Sequence, residues 1–202
     1  MLTHPMTNRF MVTESILGLN LDFFDNIWFI CLQEHEDKYQ FMKGLVSELD
    51  EVGLRAKSNI VLLPEQTDSQ SETVYTFLSG QELEGFVFIK DSDGFYRCDV
   101  EERNQVAYFD LNDMDDINAR TKSYIELDVN NVITNIVEKK VVSSTFSSGG
   151  YGFADAKEFC KTFEKLQDMD GECYISHIIF EMMLSGSTFY GTKTTDFKDW
   201  GT

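Results

Sequence analysis

The stretch Ile89-Lys90-Asp91-Ser92-Asp93-Gly94-Phe95 puts two carboxylates one residue apart, directly behind the apolar run from Gly85 to Ile89. Oxygen ligands placed this way suit Mg²⁺, a hard cation usually held by one or two carboxylates together with substrate phosphates. Asp, Ser and Gly are equally the residues of a polar turn, and the acidic run Asp113-Met114-Asp115-Asp116 shows the same types with no chemical pattern. Both readings of Asp91 and Asp93 stay open on spacing alone.

A second charged pair, Glu138-Lys139, closes the apolar run from Val132 to Val137. A carboxylate can accept from hydroxyls while the neighbouring ammonium meets a phosphate; a solvated charge cluster is the alternative. Ser147-Ser148-Gly149-Gly150-Tyr151-Gly152-Phe153 has adjacent glycines before aromatic residues, which allows a tight turn or a close approach of ligand to backbone. It lacks GxGxxG spacing, so a dinucleotide-binding fingerprint is absent. His177 lies in an apolar helical pattern and reads as a packed or capping residue, while His4 and His35 lie in polar surroundings. No Ser/His/Asp or Cys/His spacing proposes a nucleophile.

Elements that would position these residues follow from periodicity. The spacing predicts a short helix over 10–21, a buried strand over 26–32, a helix over 34–53 ending at Gly53, and a strand over 59–65. Serines at 69 and 71 suit the N-cap of a helix over 69–80, with Val74, Phe77 and Leu78 on one face, leading to the strand before Asp91. Strands alternating with helices imply parallel pairing with right-handed crossovers. Beyond Gly94 the chain turns to short β-rich runs divided by polar turns such as Asn130-Asn131, then two helices, over 154–166 and 174–186. The fold class expected is α/β, a mixed, mainly parallel central sheet flanked by helices. In such open sheets ligands gather beyond the carboxyl ends of parallel strands, where Asp91 and Asp93 would lie.

Composition narrows the partners. Seventeen basic against thirty-five acidic residues leave a net charge of −18, which opposes general attraction to nucleic acid or an anionic membrane. No apolar run reaches the ~18 to 20 residues of a spanning helix, and the first ten residues lack the pattern of a signal peptide, so a cytoplasmic protein is expected. Four scattered cysteines without a CxxC pair indicate neither zinc nor a disulfide framework.

Taken in order, 69–75 (SQSETVY), 88–95 (FIKDSDGF), 131–153 (NVITNIVEKKVVSSTFSSGGYGF), 174–183 (YISHIIFEMM) and 199–202 (DWGT) resemble the sugar-phosphate nucleotidylyltransferases, particularly those of bacterial capsule and surface-glycan synthesis. The resemblance spans Phe10 to Thr202. It implies a GT-A-like α/β fold in which the phosphate oxygen of a sugar 1-phosphate attacks the α-phosphate of a nucleoside triphosphate and pyrophosphate leaves, with Mg²⁺ as cofactor.

Carried over by motif, Asp91 or Asp93 would bind metal together with Asp199. Glu138 and Lys139 would contact the sugar's hydroxyls and phosphate, and Gly150 would present backbone to the sugar. Gln66, Ser71 and Glu72 fall where the family contacts the nucleotide base. The family opens with a strand, a Gly-rich loop ending in Arg and a downstream Lys-Pro; Asn8-Arg9-Phe10 stands near the Lys-Pro position, so Arg9 is the candidate catalytic cation beside Lys139. The resemblance therefore implies one nucleotidyltransferase-like domain over 1–202, incomplete at its N-terminus relative to the family, with a gap or unpaired edge in the sheet where the first strand would lie. A catalytically impaired sugar-phosphate or nucleotide-binding module is the alternative. Base, sugar and oligomeric state are left open.

Overall fold

In a computed structural model the described residues are 3, 4, 6–114 and 119–201. Asp115 and Asp116 of the acidic run and Thr202 of the closing motif lie outside them. The chain begins with a layer built on two strands. After helix α1 (Met11–Ile16) comes β1 (Ile27–Leu32), then α2 (Gln33–Tyr39), α3 (Met42–Glu51) and β2 (Ser58–Leu63). β1 and β2 pair in parallel, from Ile27 opposite Ser58 to Leu32 opposite Leu63. Leu45 and Leu49, one helical turn apart on α3, are fully buried against Phe29, Phe41, Ile16 and Leu54. The helix predicted over 34–53 is thus two helices, divided at Gln40, whose left-handed φ of 49° ends α2. Gly53 does stand just past α3 with φ 73°, the conformation that terminates helices most cheaply at glycine.

α4 (Gln70–Gly80) starts where the serines predicted it: the Ser69 hydroxyl accepts from the Glu72 N–H at 3.1 Å. The larger sheet follows, with β3 (Val87–Lys90), β5 (Gln105–Asp110), β6 (Ser123–Leu127), β7 (Ile133–Glu138), β8 (Thr145–Phe153) and β9 (Tyr190–Lys193). Its order is β7-β6-β8-β5-β9, with β3 on the far end of β8. β4 (Gly94–Arg97) and β10 (Thr195–Asp199) form a separate antiparallel pair. Helices α4, α5 (Ala156–Leu166) and α6 (Ile175–Leu184) cover one face, burying Phe153, Phe159, Ile178, Ile179 and Phe189 completely.

The class is α/β and the sheet mixed and flanked by helices, as expected, but its balance differs. Among the described residues parallel pairing is confined to β1–β2 and β5–β9, because β8 takes all its neighbours, β3, β5 and β6, antiparallel. The helical crossover from β2 through α4 carries the chain to β3 without joining it to the first pair.

That leaves an interrupted sheet. Among the described residues β1 is bonded only to β2, and β3 only to β8, so each has one edge with no strand partner there. Trp28, Ile30 and Val61 nonetheless pack on the same core as Val87 and Ile89. All of β3 and all of β1 except Phe29 are only partly buried, which is unusual for apolar strands at mid-sheet.

Candidate functional site

The turn between β3 and β4 is held from beneath by a lysine. Lys90 Nζ donates to the backbone oxygens of Asp91 at 2.7 Å and Gly94 at 2.8 Å, and lies 4.5 Å from the centre of the Tyr96 ring. Burial lowers the Lys90 pKa to about 8, although Asp91 and Asp93 pull the other way. The Asp91 N–H donates to the Gly149 carbonyl at 2.8 Å, and its carboxylate accepts from the Gln70 side chain. Burial pushes the Asp91 carboxyl up to about 6, against the Gln70 hydrogen bond and the nearby lysines.

Asp93 and Asp199 come from different strands. β10 runs antiparallel to β4 with Asp199 opposite Gly94, and the Trp200 N–H donates to the Asp93 carbonyl at 2.8 Å. Both carboxylates flank Gly201: a side chain there would collide with Asp93 and lie 3.5 Å from Asp199 Oδ1. Asp199 is ion-paired with Lys122, and its other oxygen accepts from the Gly201 N–H at 3.0 Å.

Across the same cavity stands the end of β7. Glu138 Oε2 accepts from Ser123 at 2.5 Å and from Ser176 at 2.6 Å, so the carboxylate is anchored to β6 and to the first turn of α6. Lys139 takes a left-handed φ of 53°, donates to the Tyr174 hydroxyl, and lies 4.1 Å from the centre of that ring. The floor comes from a bulge in β8. Ala107 pairs with Gly150 and Tyr108 with Ser147, so Ser148 and Gly149 are extra residues pushed out of register. Gly149 has φ 80°, and any side chain on it would strike Asp91.

Together these groups line one cavity of about 280 Å³, with Asp91, Asp93 and Asp199 at one end and Glu138, Lys139, Tyr174 and Ser176 at the other. Among the described residues no three His, Cys, Asp or Glu side chains gather into a standing metal cage. Two carboxylates flanking Gly201 do fit a Mg²⁺ site completed by ligand phosphates, the usual manner of holding that ion.

No family profile matches the sequence, and no curated protein does. Solved structures do match. A nucleoside-diphosphate-sugar pyrophosphorylase from Vibrio cholerae RC9 is 16% identical with a TM-score of 0.76, over 100% of this chain and 86% of that one. An inositol-1-phosphate CTP transferase from T. maritima is 10% identical with a TM-score of 0.71, over 97% and 78%. A Bacillus anthracis protein described as a glucose-1-phosphate thymidylyltransferase, in complex with a sucrose, is 16% identical with a TM-score of 0.69, over 95% and 77%.

The chain has a sugar-phosphate nucleotidyltransferase-like fold.

Within this nucleotidyltransferase-like fold, Asp91, Asp93, Asp199, Glu138 and Lys139 converge on the cavity. Five other candidates do not. Arg9 pairs with Glu14 at 3.4 Å, in a turn closed by a bridge between Thr3 and Phe10, and does not line the cavity. Gln66 is exposed in the loop after β2. Ser71 is fully buried, and Glu72 caps the helix start by accepting from the Asp68 N–H at 2.6 Å. The residue of this segment that reaches the cavity is Gln70. Gly150 faces inward, where a side chain would meet Tyr96, Ala107 and Phe88; its neighbour Gly149 is the one on the cavity wall. Lys122, Ser123, Tyr174 and Ser176 were not singled out in the sequence, since only pairing of β6 with β7 and docking of α6 beside β7 bring them to Glu138 and Lys139. His177 is a capping residue, its Nδ1 accepting from the Tyr174 N–H at 3.3 Å.

Proposed function

We propose that the cavity binds a sugar 1-phosphate or similar phosphorylated metabolite and a nucleoside triphosphate, and transfers the nucleotidyl group with release of pyrophosphate. The observation carrying this reading is that one cavity holds three aspartates at one end and an anchored Glu138-Lys139 pair at the other. The resemblance in sequence and the named activities of the structural neighbours point the same way. The sequence resemblance adds surface-glycan or capsule synthesis as the destination of the product.

The chemistry asked of the chain is positioning and charge compensation. A phosphate oxygen of the acceptor forms a bond to the α-phosphorus while the bond from that phosphorus to the pyrophosphate oxygen breaks. The attacking phosphate oxygen is already ionised, so no base is needed. Lys139 and the first turn of α6 face an anion at one end, the helix N-terminus contributing positive potential. Glu138, fixed by two serine hydroxyls, accepts from hydroxyls of the acceptor. Asp93 and Asp199 would hold Mg²⁺, which when bound supplies positive charge to the phosphates. Asp91, held by Gln70, would steady this end through its own charge and its bond to Gly149.

A second reading, a sugar-phosphate-binding module without efficient turnover, is favoured by the other side of the sheet. Among the described residues neither β1 nor β2 contributes to the cavity lining, so that side presents no backbone amides to a triphosphate. Pyrophosphate release measured across CTP, UTP, GTP and dTTP with a panel of sugar 1-phosphates separates the two. Turnover lost in Asp93→Asn and Lys139→Met supports the first. Calorimetric binding of a sugar 1-phosphate, weakened by Lys139→Met but without turnover for any pair, selects the second.

A further inference from the structure

The cavity's aspartates already have a cation of the protein's own. Lys122 Nζ is ion-paired with Asp199 Oδ2, and both side chains are largely shielded, 18% and 13% exposed. The backbone of Lys122 is fixed at the mouth of β6, where its carbonyl accepts from the Lys139 N–H at 3.0 Å and the next residue, Ser123, pairs with Glu138. Lys122 therefore links the two ends of the cavity: its main chain is tied to the Glu138-Lys139 end and its side chain reaches the aspartate end.

An ammonium and a divalent cation cannot share one carboxylate oxygen without strong mutual repulsion, least of all in a partly shielded cavity. The lysine stem is flexible and its charge is a mobile point charge, so the pair can open. We propose that Lys122 is a tethered counter-ion to Asp199 which a divalent cation must displace, making Lys122 a positioning residue that sets the metal affinity of the site. This rests on the reading of Asp93 and Asp199 as metal ligands. Breaking the pair frees one oxygen of Asp199 while leaving the other bound to the Gly201 N–H.

The test is Mn²⁺ binding to the intact protein, followed by electron paramagnetic resonance of free Mn²⁺, with no substrate added. Lys122→Met is expected to tighten Mn²⁺ binding by about fivefold or more, the scale of a favourable ion pair removed. Lys122→Arg, which keeps the charge, is expected to stay near the wild-type affinity, and adding Asp199→Asn to Lys122→Met is expected to abolish the gain. Equal affinities for wild type and Lys122→Met, with Asp93→Asn weakening both, overturn the counter-ion role and leave the metal site standing. Absence of Mn²⁺ binding in wild type and Lys122→Met alike overturns both. Lys122→Gln makes the same comparison with an uncharged polar side chain should Lys122→Met lose its near-ultraviolet circular dichroism.

Discussion

The two parts of the interrupted sheet solve the same problem differently. In the larger part β8 is bonded on both sides along much of its length, and each of its residues after Thr145 is buried. In the smaller part β1 has, among the described residues, a neighbour on one side only, and just one of its six residues is buried. The candidate site follows this division. Groups anchored on the larger part, Glu138 above all, have their hydrogen bonds satisfied by rigid neighbours, whereas no segment of the smaller part lines the cavity.

The comparison breaks most visibly in the cores. Phe153 is fully buried at the end of β8, with ring centres of Phe159 and Phe189 at 4.9 and 5.8 Å. Phe153→Ala should cost ~3–5 kcal/mol and lower the melting temperature of the whole protein in a single transition. Leu45→Ala, in the core between α3 and β1, should cost less in the global transition, ~2–3 kcal/mol, and act first through local opening of that layer. Hydrogen exchange resolves the difference: Leu45→Ala should speed exchange in β1 and β2 while leaving the amides of β5 and β8 near their wild-type protection. Uniform acceleration through all strands would show that the two parts unfold as one.

Much of this division was legible in the chain. Ser69, Gly53 and Asn131 act as cap, helix stop and turn residue as their types predict, with Gly53 at φ 73° and Asn131 at φ 60°. Local conformational preference decides such positions. The break at Gln40 was not legible, because glutamine carries no signal for the left-handed conformation it adopts there. In the site, Asp91, Asp93, Glu138 and Lys139 could be found because the members of each pair lie within two residues of each other at a strand's end. Lys122 and Gln70 could not, since each acts on an aspartate distant in sequence, reached only after β6 and α4 are placed. The bulge that puts Gly149 rather than Gly150 on the wall depends on register against β5, which two adjacent glycines leave undetermined.

The smallest expected effect concerns Asp91, where site and stability pull apart. Its carboxyl is raised from 3.8 to about 6, chiefly by burial, so the folded protein holds that proton more tightly than the unfolded chain does. A raised carboxylate pKa means that ionisation opposes folding: the penalty is absent below pH 3.8, grows as pH rises to about 6, and is complete above it. Because the group faces a cavity, the penalty is discounted to ~1 kcal/mol of net effect. Asp91→Asn keeps an acceptor for the Gln70 side chain and removes the charge, so it should stabilise the ligand-free protein by ~1 kcal/mol at pH 7.5 and by nothing measurable at pH 3.5. Denaturant titration at the two pH values reads this directly. If the variant also binds Mn²⁺ less tightly at pH 7.5, the charge retained at Asp91 serves the cation end of the cavity at the expense of the fold. An Asp91→Asn variant destabilised at pH 7.5 would instead make the ionised carboxylate a structural acceptor for Gln70.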